Sequence, residues 1–285
     1  LDRLMELKDI ISENYHDLEN FSNSQKENYS LAKPFPNIEI NNFFNKEFLD
    51  KVLKEFPDLA NLEKSNKYEN KNEIKYANNE YDLFPEVIKK FFDFLNSLTF
   101  LNFIQNITSI QESLIADKEL NGGGLHEIKK GGVLKIHTDF NRHPKLDLDR
   151  RVNVLIYLNR DWKTEYGGHL ELWDKDMKEC KKKILPTFNK MVIFSTNDFS
   201  NHGHPNPVTC SKNNSRKSIA LYYFSKGRPL EELNKDHIKN RTYFKNRFGH
   251  SDDTDNKNEK FKNFLRNLKF YKVLKSLEKR YLRKK

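Results

Sequence analysis

Cysteine is nearly missing from this sequence. Cys180 and Cys210 are the two present in 285 residues, too few for a disulfide framework or a cysteine-rich zinc pattern. Long apolar runs are missing as well: none approaches the roughly 18 residues that a membrane-crossing helix needs. The N-terminal stretch lacks the charged, apolar and small-residue succession of a secretory signal. It opens on Leu1, as expected of a trimmed start. Together these absences lead to the expectation of a reducing, cytoplasmic setting. No internal repeat is visible.

Aromatic and charged residues are abundant. Phenylalanine (22) and tyrosine (12) can supply much of a core, and hydrophobic residues make up 36%. Charged residues reach 32%, above the usual share, so solvated helices or flexible segments are expected. The net charge of +10 is uneven: residues 259–285 hold eleven Lys/Arg against two Glu. The basic excess therefore describes a tail more than a core.

Along the chain, Leu4, Leu7, Ile10, Ile11, Tyr15 and Leu18 recur at helical spacing, which predicts one or two amphipathic helices within residues 1–31. Ala32-Lys33-Pro34-Phe35-Pro36 breaks them. A strand is predicted over 37–40 and a helix over 42–56, with Phe43, Phe44, Phe48, Leu49, Val52, Leu53 and Phe56 as its buried stripe. Residues 63–80, rich in Asn, Lys and Glu, read as a mobile loop. One helix is predicted over 86–105. From Ser113 the texture changes to short apolar runs at 125–128, 133–139, 152–159, 169–173, 190–195 and 216–225, the pattern of an all-β sandwich or barrel. After Lys226-Gly227-Arg228-Pro229 the chain turns polar and helical, with a hydrophilic hinge at 252–258. Residues 261–281 then predict a basic amphipathic helix. Its long apolar stripe needs covering, which favours docking on the chain's own domain or a partner over a free nucleic-acid-binding arm. The expected division is an N-terminal helical lead (1–33), a β domain with supporting helices (34–230) and a helical basic tail (231–285).

Chemistry concentrates in Gly131-Gly132-Val133-Leu134-Lys135-Ile136-His137-Thr138-Asp139-Phe140. Side chains two apart on a strand share a face, so His137 and Asp139 can grip one metal ion. Alone, His-x-Asp is weak and also fits a polar edge strand. A third donor follows in Ser200-Asn201-His202-Gly203-His204-Pro205-Asn206-Pro207, read as a loop past a strand, where His202 and His204 compete. Two imidazoles and one carboxylate on one face leave open positions on Fe(II). Arg216-Lys217-Ser218-Ile219-Ala220-Leu221-Tyr222 then starts a strand with a guanidinium, inward in step with Ser218, Ala220 and Tyr222. Guanidinium binds carboxylate bidentately, and the Ser218 hydroxyl can add a hydrogen bond to the same group. Among the other histidines, His126 is expected to line the pocket or, equally, to be a satisfied core or rim histidine; His143 is expected to face solvent, with contact to substrate from a loop as the alternative, and His169 to be structural. Trp162 and Trp173 read as core or loop anchors.

These motifs, with Arg151-Val152-Asn153-Val154-Leu155-Ile156-Tyr157-Leu158-Asn159, Trp162, Gly167-Gly168-His169-Leu170-Glu171-Leu172, Pro186-Thr187-Phe188-Asn189 and Val192-Ile193-Phe194 between them, resemble the Fe(II)- and 2-oxoglutarate-dependent dioxygenases over residues 120–230. The likeness is to the prolyl 4-hydroxylase-like branch. It implies a mainly β core, a double-stranded β-helix or jelly-roll barrel flanked by N-terminal supporting helices. It implies Fe(II) held by His137, Asp139 and His202, since the family's Ser-x-His pattern favours His202 over His204. It also implies 2-oxoglutarate anchored by Arg216 with Ser218, O2 as oxidant, ascorbate as auxiliary reductant, and release of succinate and CO2. The substrate implied is a protein prolyl side chain or a small molecule such as an amino acid, sugar or lipid-linked precursor. A non-catalytic metal-binding jelly-roll module is the alternative. The sequence departs from the family at Ile128, where a tyrosine that helps hold 2-oxoglutarate is common. Tyr157, Asn153 and Tyr222 are the candidates to replace it.

Overall fold

The structure, a computed structural model, describes residues 7–234, 241–250 and 252. The expected basic helix and nearly all of the hinge before it lie outside the described residues. The chain starts with α1 (Leu7–Ile10), a 3-10 turn (Glu13–Tyr15) and α2 (Leu18–Leu31). Asp17 caps α2, its carboxylate accepting from the Asn20 N–H at 2.9 Å and so satisfying one of the helix's orphan donors. β1 (Asn37–Asn41) follows, then α3 (Lys46–Lys54), whose cap Asn45 accepts from the Phe48 N–H.

The polar stretch expected to be a mobile loop is a hairpin of β2 (Asn66–Glu69) and β3 (Glu73–Asn78). Its turn is closed by the Asn70 side chain, which accepts from the Asn72 and Glu73 N–H groups at 2.9 and 3.2 Å. The single helix expected over 86–105 is also two: α4 (Glu86–Leu95) and α5 (Leu98–Thr108). Ser97 between them caps the second by accepting from the Phe100 N–H.

Ten more strands complete the chain: β4 (Ile115–Ala116), β5 (Gly124–Lys129), β6 (Val133–Thr138), β7 (Asp149–Tyr157), β8 (Leu170–Trp173), β9 (Cys180–Ile184), β10 (Lys190–Ser195), β11 (Asn201–His204), β12 (Ser215–Ser225) and β13 (Tyr243–Phe244). They form one antiparallel sheet in the order β1-β10-β7-β12-β5-β3-β6-β11-β8-β9, with β2 on β3, β4 on β12 and β13 on β6. The sheet curls until its two edges meet through side chains. Lys182 of β9 reaches Asn37 at 3.1 Å and Glu39 at 3.4 Å, both on β1. This is the jelly-roll arrangement expected. β3 bridges the two halves, pairing with β5 through Tyr76–Asn78 and with β6 through Glu73–Ile74.

Strand alternation divides the core in two. Val152, Val154 and Ile156 of β7 with Ile219, Leu221 and Tyr223 of β12 face outward and pack under Phe43, Phe91, Phe92, Phe100 and Phe103 of the helical layer. Burying each phenylalanine contributes on the order of 1.5–3 kcal/mol, so this layer braces one half of the curl. Tyr157, Leu170, Leu172, Ile184, Val192 and Phe194 face inward and fill one end of the barrel. No helix among the described residues is long and apolar enough to cross a membrane.

Candidate metal centre and its cavity

β6 delivers His137, and Asp139 follows just beyond its end. The stretch expected as a loop around His202 is strand β11, paired with β6 so that His202 stands opposite His137. The ladder shifts register between His202 and His204, at Gly203. A Cβ on Gly203 would lie 2.7 Å from the carbonyl oxygens of both Leu134 and Lys135, closer than real Cβ atoms come, so only glycine permits this approach. The two imidazole rings sit 4.5 Å apart as a result.

One donor atom from each of His137, Asp139 and His202 lies within 4.8 Å of the others. His137 Nε2 is 3.5 Å from Asp139 Oδ1, and His202 Nε2 is 3.3 Å from Asp139 Oδ2. His137 Nδ1 donates to the Lys135 carbonyl at 2.8 Å and His202 Nδ1 to the Ser200 carbonyl at 3.0 Å. A carbonyl only accepts, so each Nδ1 carries the proton and each Nε2 turns a lone pair inward. Asp139 Oδ2 accepts from Arg150 Nη2 at 2.9 Å and Asn153 Nδ2 at 2.8 Å. Burial alone would raise the Asp139 pKa, but Arg150 and then the two histidines hold it well below the usual carboxylate value. Burial pushes His202 down to about 4, against the pull of Asp139. Two imidazole Nε2 atoms and a carboxylate oxygen converge on one point, a donor set that fits Fe(II).

The triad opens into a cavity of about 270 Å³. Arg216 and Ser218 of β12 line it, in register with Ile128 and His126 of β5. Arg216 is 5% exposed. Its Nε donates to the Gly168 carbonyl at 2.8 Å and its Nη2 to the Tyr157 hydroxyl at 3.2 Å. No carboxylate among the described residues pairs with it. The Gly167-Gly168 turn exists for this contact: Gly168 has φ +67°, and a Cβ there would lie 3.0 Å from Arg216 Cδ. Trp162 anchors the same turn, its Nε1 donating to the Gly167 carbonyl.

Ile128 faces the cavity and offers no hydroxyl. Of the three candidates to replace the tyrosine, Asn153 is committed to Asp139, and the Tyr222 hydroxyl donates to the Gly122 carbonyl at 2.9 Å. Tyr157 alone reaches Arg216, from behind, fully buried.

His204 is not part of the triad. It is 3% exposed and lines the cavity, and neither ring nitrogen makes a well-formed hydrogen bond among the described residues, the Asn206 backbone offering only a weaker contact. Burial, then the nearby Arg216, holds it well below the usual histidine pKa. His126 also lines the cavity, with Nε2 buried and unpartnered. Burial, then Lys75, pushes it down to about 3. Leaving such a buried group unsatisfied costs about 1–3 kcal/mol. His143, expected in solvent, is buried: its Nε2 lies 3.5 Å from Asp117 and its Nδ1 accepts from the Lys145 and Leu146 N–H groups. It pins the loop after Asp139.

Three features of the site carried no sequence signal. Arg150, 1% exposed, packs against the rings of Phe140 and Tyr222, 4.5 and 3.3 Å from their centroids. The β2–β3 hairpin brings Tyr68, Glu73 and Lys75 to the cavity, with Lys75 3.3 Å from Glu73. From beyond the barrel, Thr242 lines it, and β13 pairs with β6 so that the Phe244 ring lies tilted against His137, centroids 5.5 Å apart. A polar hairpin, an arginine pair and a distant tail look like solvated surface until the fold places them.

Residues 123–224 match the family model of the 2OG-Fe(II) oxygenase superfamily. The mouse prolyl 3-hydroxylase OGFOD1 is 32% identical over 79 residues, which are 26% of this chain and 14% of that protein, so the match spans a small part of the relative. Among solved structures, the fold is similar to a Trichoplax adhaerens prolyl hydroxylase in complex with a hypoxia inducible factor peptide fragment (TM-score 0.55, 19% identity, 75% of this chain and 94% of that one). It is also similar to a Phytophthora capsici prolyl 4-hydroxylase (0.53, 16%, 74% and 65%) and a Pseudomonas putida prolyl-4-hydroxylase (0.51, 13%, 73% and 100%). With the triad, the cavity and the jelly-roll sheet, these matches make residues 123–224 similar to the 2OG-Fe(II) oxygenase superfamily and the fold similar to that of prolyl hydroxylases.

Proposed function

We propose that this protein hydroxylates an unactivated C–H bond of a prolyl side chain in a protein, consuming 2-oxoglutarate and O2 and releasing succinate and CO2. The observation that carries the reading is Arg216. A buried guanidinium with no carboxylate partner among the described residues, facing the same cavity as a His-Asp-His triad, is costly unless a ligand brings the missing anion. A metal-binding jelly-roll module without turnover has no use for that cation.

In this reading His137, Asp139 and His202 hold Fe(II), and the bound metal supplies the oxidation that couples decarboxylation of 2-oxoglutarate to C–H hydroxylation. The chain supplies geometry. Lys135 and Ser200 carbonyls fix the imidazole tautomers, and Arg150 with Asn153 fixes the carboxylate. Arg216 neutralises the distal carboxylate of 2-oxoglutarate, Ser218 lies beside it, and Tyr157 steadies the guanidinium. Tyr68, Phe140 and Tyr222 give the cavity an aromatic rim suited to a prolyl ring. Three prolyl hydroxylases of similar fold and a prolyl 3-hydroxylase with a matching segment support a prolyl target.

Unpaired Cys180 and Cys210 support a cytoplasmic setting. The basic stretch 261–281 is assigned to docking on the oxygenase domain, towards which β13 already returns; unchanged thermal stability after truncation at Asn258 would argue for an external partner instead.

The test is succinate formation from 2-oxoglutarate with Fe(II), ascorbate and air, followed by mass spectrometry of candidate proteins and metabolites for a gain of one oxygen. Absence of turnover together with absence of iron and 2-oxoglutarate binding sinks the enzyme reading. Oxygen gained by a small molecule, with none on any prolyl peptide, sinks the substrate assignment alone.

A further inference from the structure

His204 and His126 have no task in the reading above, yet both stand inside the cavity. His204 comes from β11, two residues beyond His202 and across the register shift at Gly203. His126 comes from β5, paired with Ser218 of β12. That pairing sets the His126 imidazole beside Ser218, one step along the strand face from Arg216 and Ile128. His204 is more than nine-tenths buried and both its ring nitrogens lack a well-formed hydrogen bond among the described residues; His126 Nε2 lacks one too. A neutral imidazole carries one N–H donor and one acceptor. A buried ring with neither used is unfavourable unless a ligand arrives with complementary groups.

The Arg216 guanidinium leaves such a ligand short of donors. Its Nε and one Nη2 hydrogen are taken by Gly168 and Tyr157. A carboxylate has about four lone-pair sites to satisfy; a planar guanidinium can aim at most two parallel N–H groups at it, and the Ser218 hydroxyl adds one more, which leaves a site open. Ile128 contributes nothing at this end.

Resting on the oxygenase reading, we propose that His204, assisted by His126, donates a ring N–H to the distal carboxylate of the bound 2-oxo acid, supplying what Ile128 cannot. These two histidines are then specificity-determining residues: they select a 2-oxo acid with a second carboxylate over one without.

The test uses the full-length protein loaded with Mn(II), which keeps the metal site filled without turnover. Calorimetry measures binding of Mn(II), then of 2-oxoglutarate, then of 2-oxobutyrate, which lacks the distal carboxylate. His204→Leu is expected to weaken 2-oxoglutarate binding about tenfold, and His126→Leu severalfold, from the loss of a hydrogen bond to a charged group. Mn(II) affinity and the weaker binding of 2-oxobutyrate should stay as in the unaltered protein. His204→Asn, which keeps an N–H donor, should recover part of the loss; it also serves if the leucine variant does not fold. Unchanged 2-oxoglutarate affinity in the histidine variants overturns the inference, as does an equal loss for both oxo acids. If the unaltered protein binds Mn(II) but no 2-oxoglutarate, the oxygenase reading itself falls and takes this one with it.

Discussion

Arg150 and Asp139 form a buried ion pair, Nη2 to Oδ2 at 2.9 Å. The arginine is 1% exposed and packs against the rings of both Phe140 and Tyr222, which restricts its movement. Asn153 binds the same oxygen. Oδ1 takes neither hydrogen bond and lies 3.5 Å from His137 Nε2. The carboxylate is thereby turned to offer one oxygen to a cation shared with the two imidazoles.

Arg150→Met should therefore lower metal affinity by about 10- to 100-fold, the usual cost of removing a partner that orients a ligand. Asn153→Leu should have a smaller effect in the same direction, since the arginine remains. Titration with Mn(II) measures both. An Arg150→Met protein that binds metal as the unaltered one does would show that the pair only fills space.

Replacing the co-substrate anchor should act on the other end of the cavity. Arg216→Ala removes a buried charge-assisted contact, and the concentration of 2-oxoglutarate needed for half-maximal succinate formation should rise about 100-fold or more. Gly168→Ala is the subtler variant: its Cβ would press on Arg216 Cδ from 3.0 Å at a backbone φ of +67°. A rise of about tenfold is expected, with Mn(II) affinity unchanged in both variants. A requirement for 2-oxoglutarate that stays constant would remove Arg216 from the anchor role.

What the sequence disclosed and what it hid follow from range. His137 and Asp139 are two apart on a strand with clear alternation, and Arg216, Ser218 and Tyr222 share one parity, so their common face could be read locally. The opposition of His202 to His137 could not. It depends on a pairing across 65 residues of chain and on a register shift at Gly203, and the flanking prolines disguised the strand as a loop. The β2–β3 hairpin was hidden for another reason. Apart from Tyr68, Ile74, Tyr76 and Ala77 its residues are polar, so composition suggested mobility; backbone pairing with β5 and β6 holds it instead. Arg150 next to Arg151 resembled ordinary surface charge, and nothing near either marked them as buried.

Acid should destabilise the metal-free protein through His126. Its pKa in the folded state is pushed down to about 3, against 6.5 when unfolded. Between those values the unfolded chain binds more protons than the folded one, so stability falls as pH drops through 6.5 and the loss is complete only near 3. His126→Phe removes the group, and its stability should fall less over the same range. Urea midpoints in a chelator at pH about 7 and about 5 make the comparison. Equal losses in the two proteins would show that His126 does not contribute.

Asn189 ties the helical layer to the barrel, and its loss should be felt in stability alone. Its Nδ2 donates to the Phe44 carbonyl at 2.7 Å, and its Oδ1 accepts from the Phe44 N–H at 3.1 Å. Its own carbonyl accepts from the Asn42 N–H at 2.7 Å, and its backbone sits at φ +58°, a region asparagine tolerates better than alanine. Asn189→Ala would leave both Phe44 backbone groups buried without these partners, at about 2–4 kcal/mol, with about 1 kcal/mol more from the left-handed backbone. Asn189→Gly should recover the backbone part and not the rest. Because Asn189 touches neither the triad nor Arg216, the variant that remains folded should bind Mn(II) and 2-oxoglutarate as before. Urea unfolding of the two variants separates the contributions, and a loss under about 1 kcal/mol for Asn189→Ala would mean that water or a backbone shift satisfies Phe44 instead.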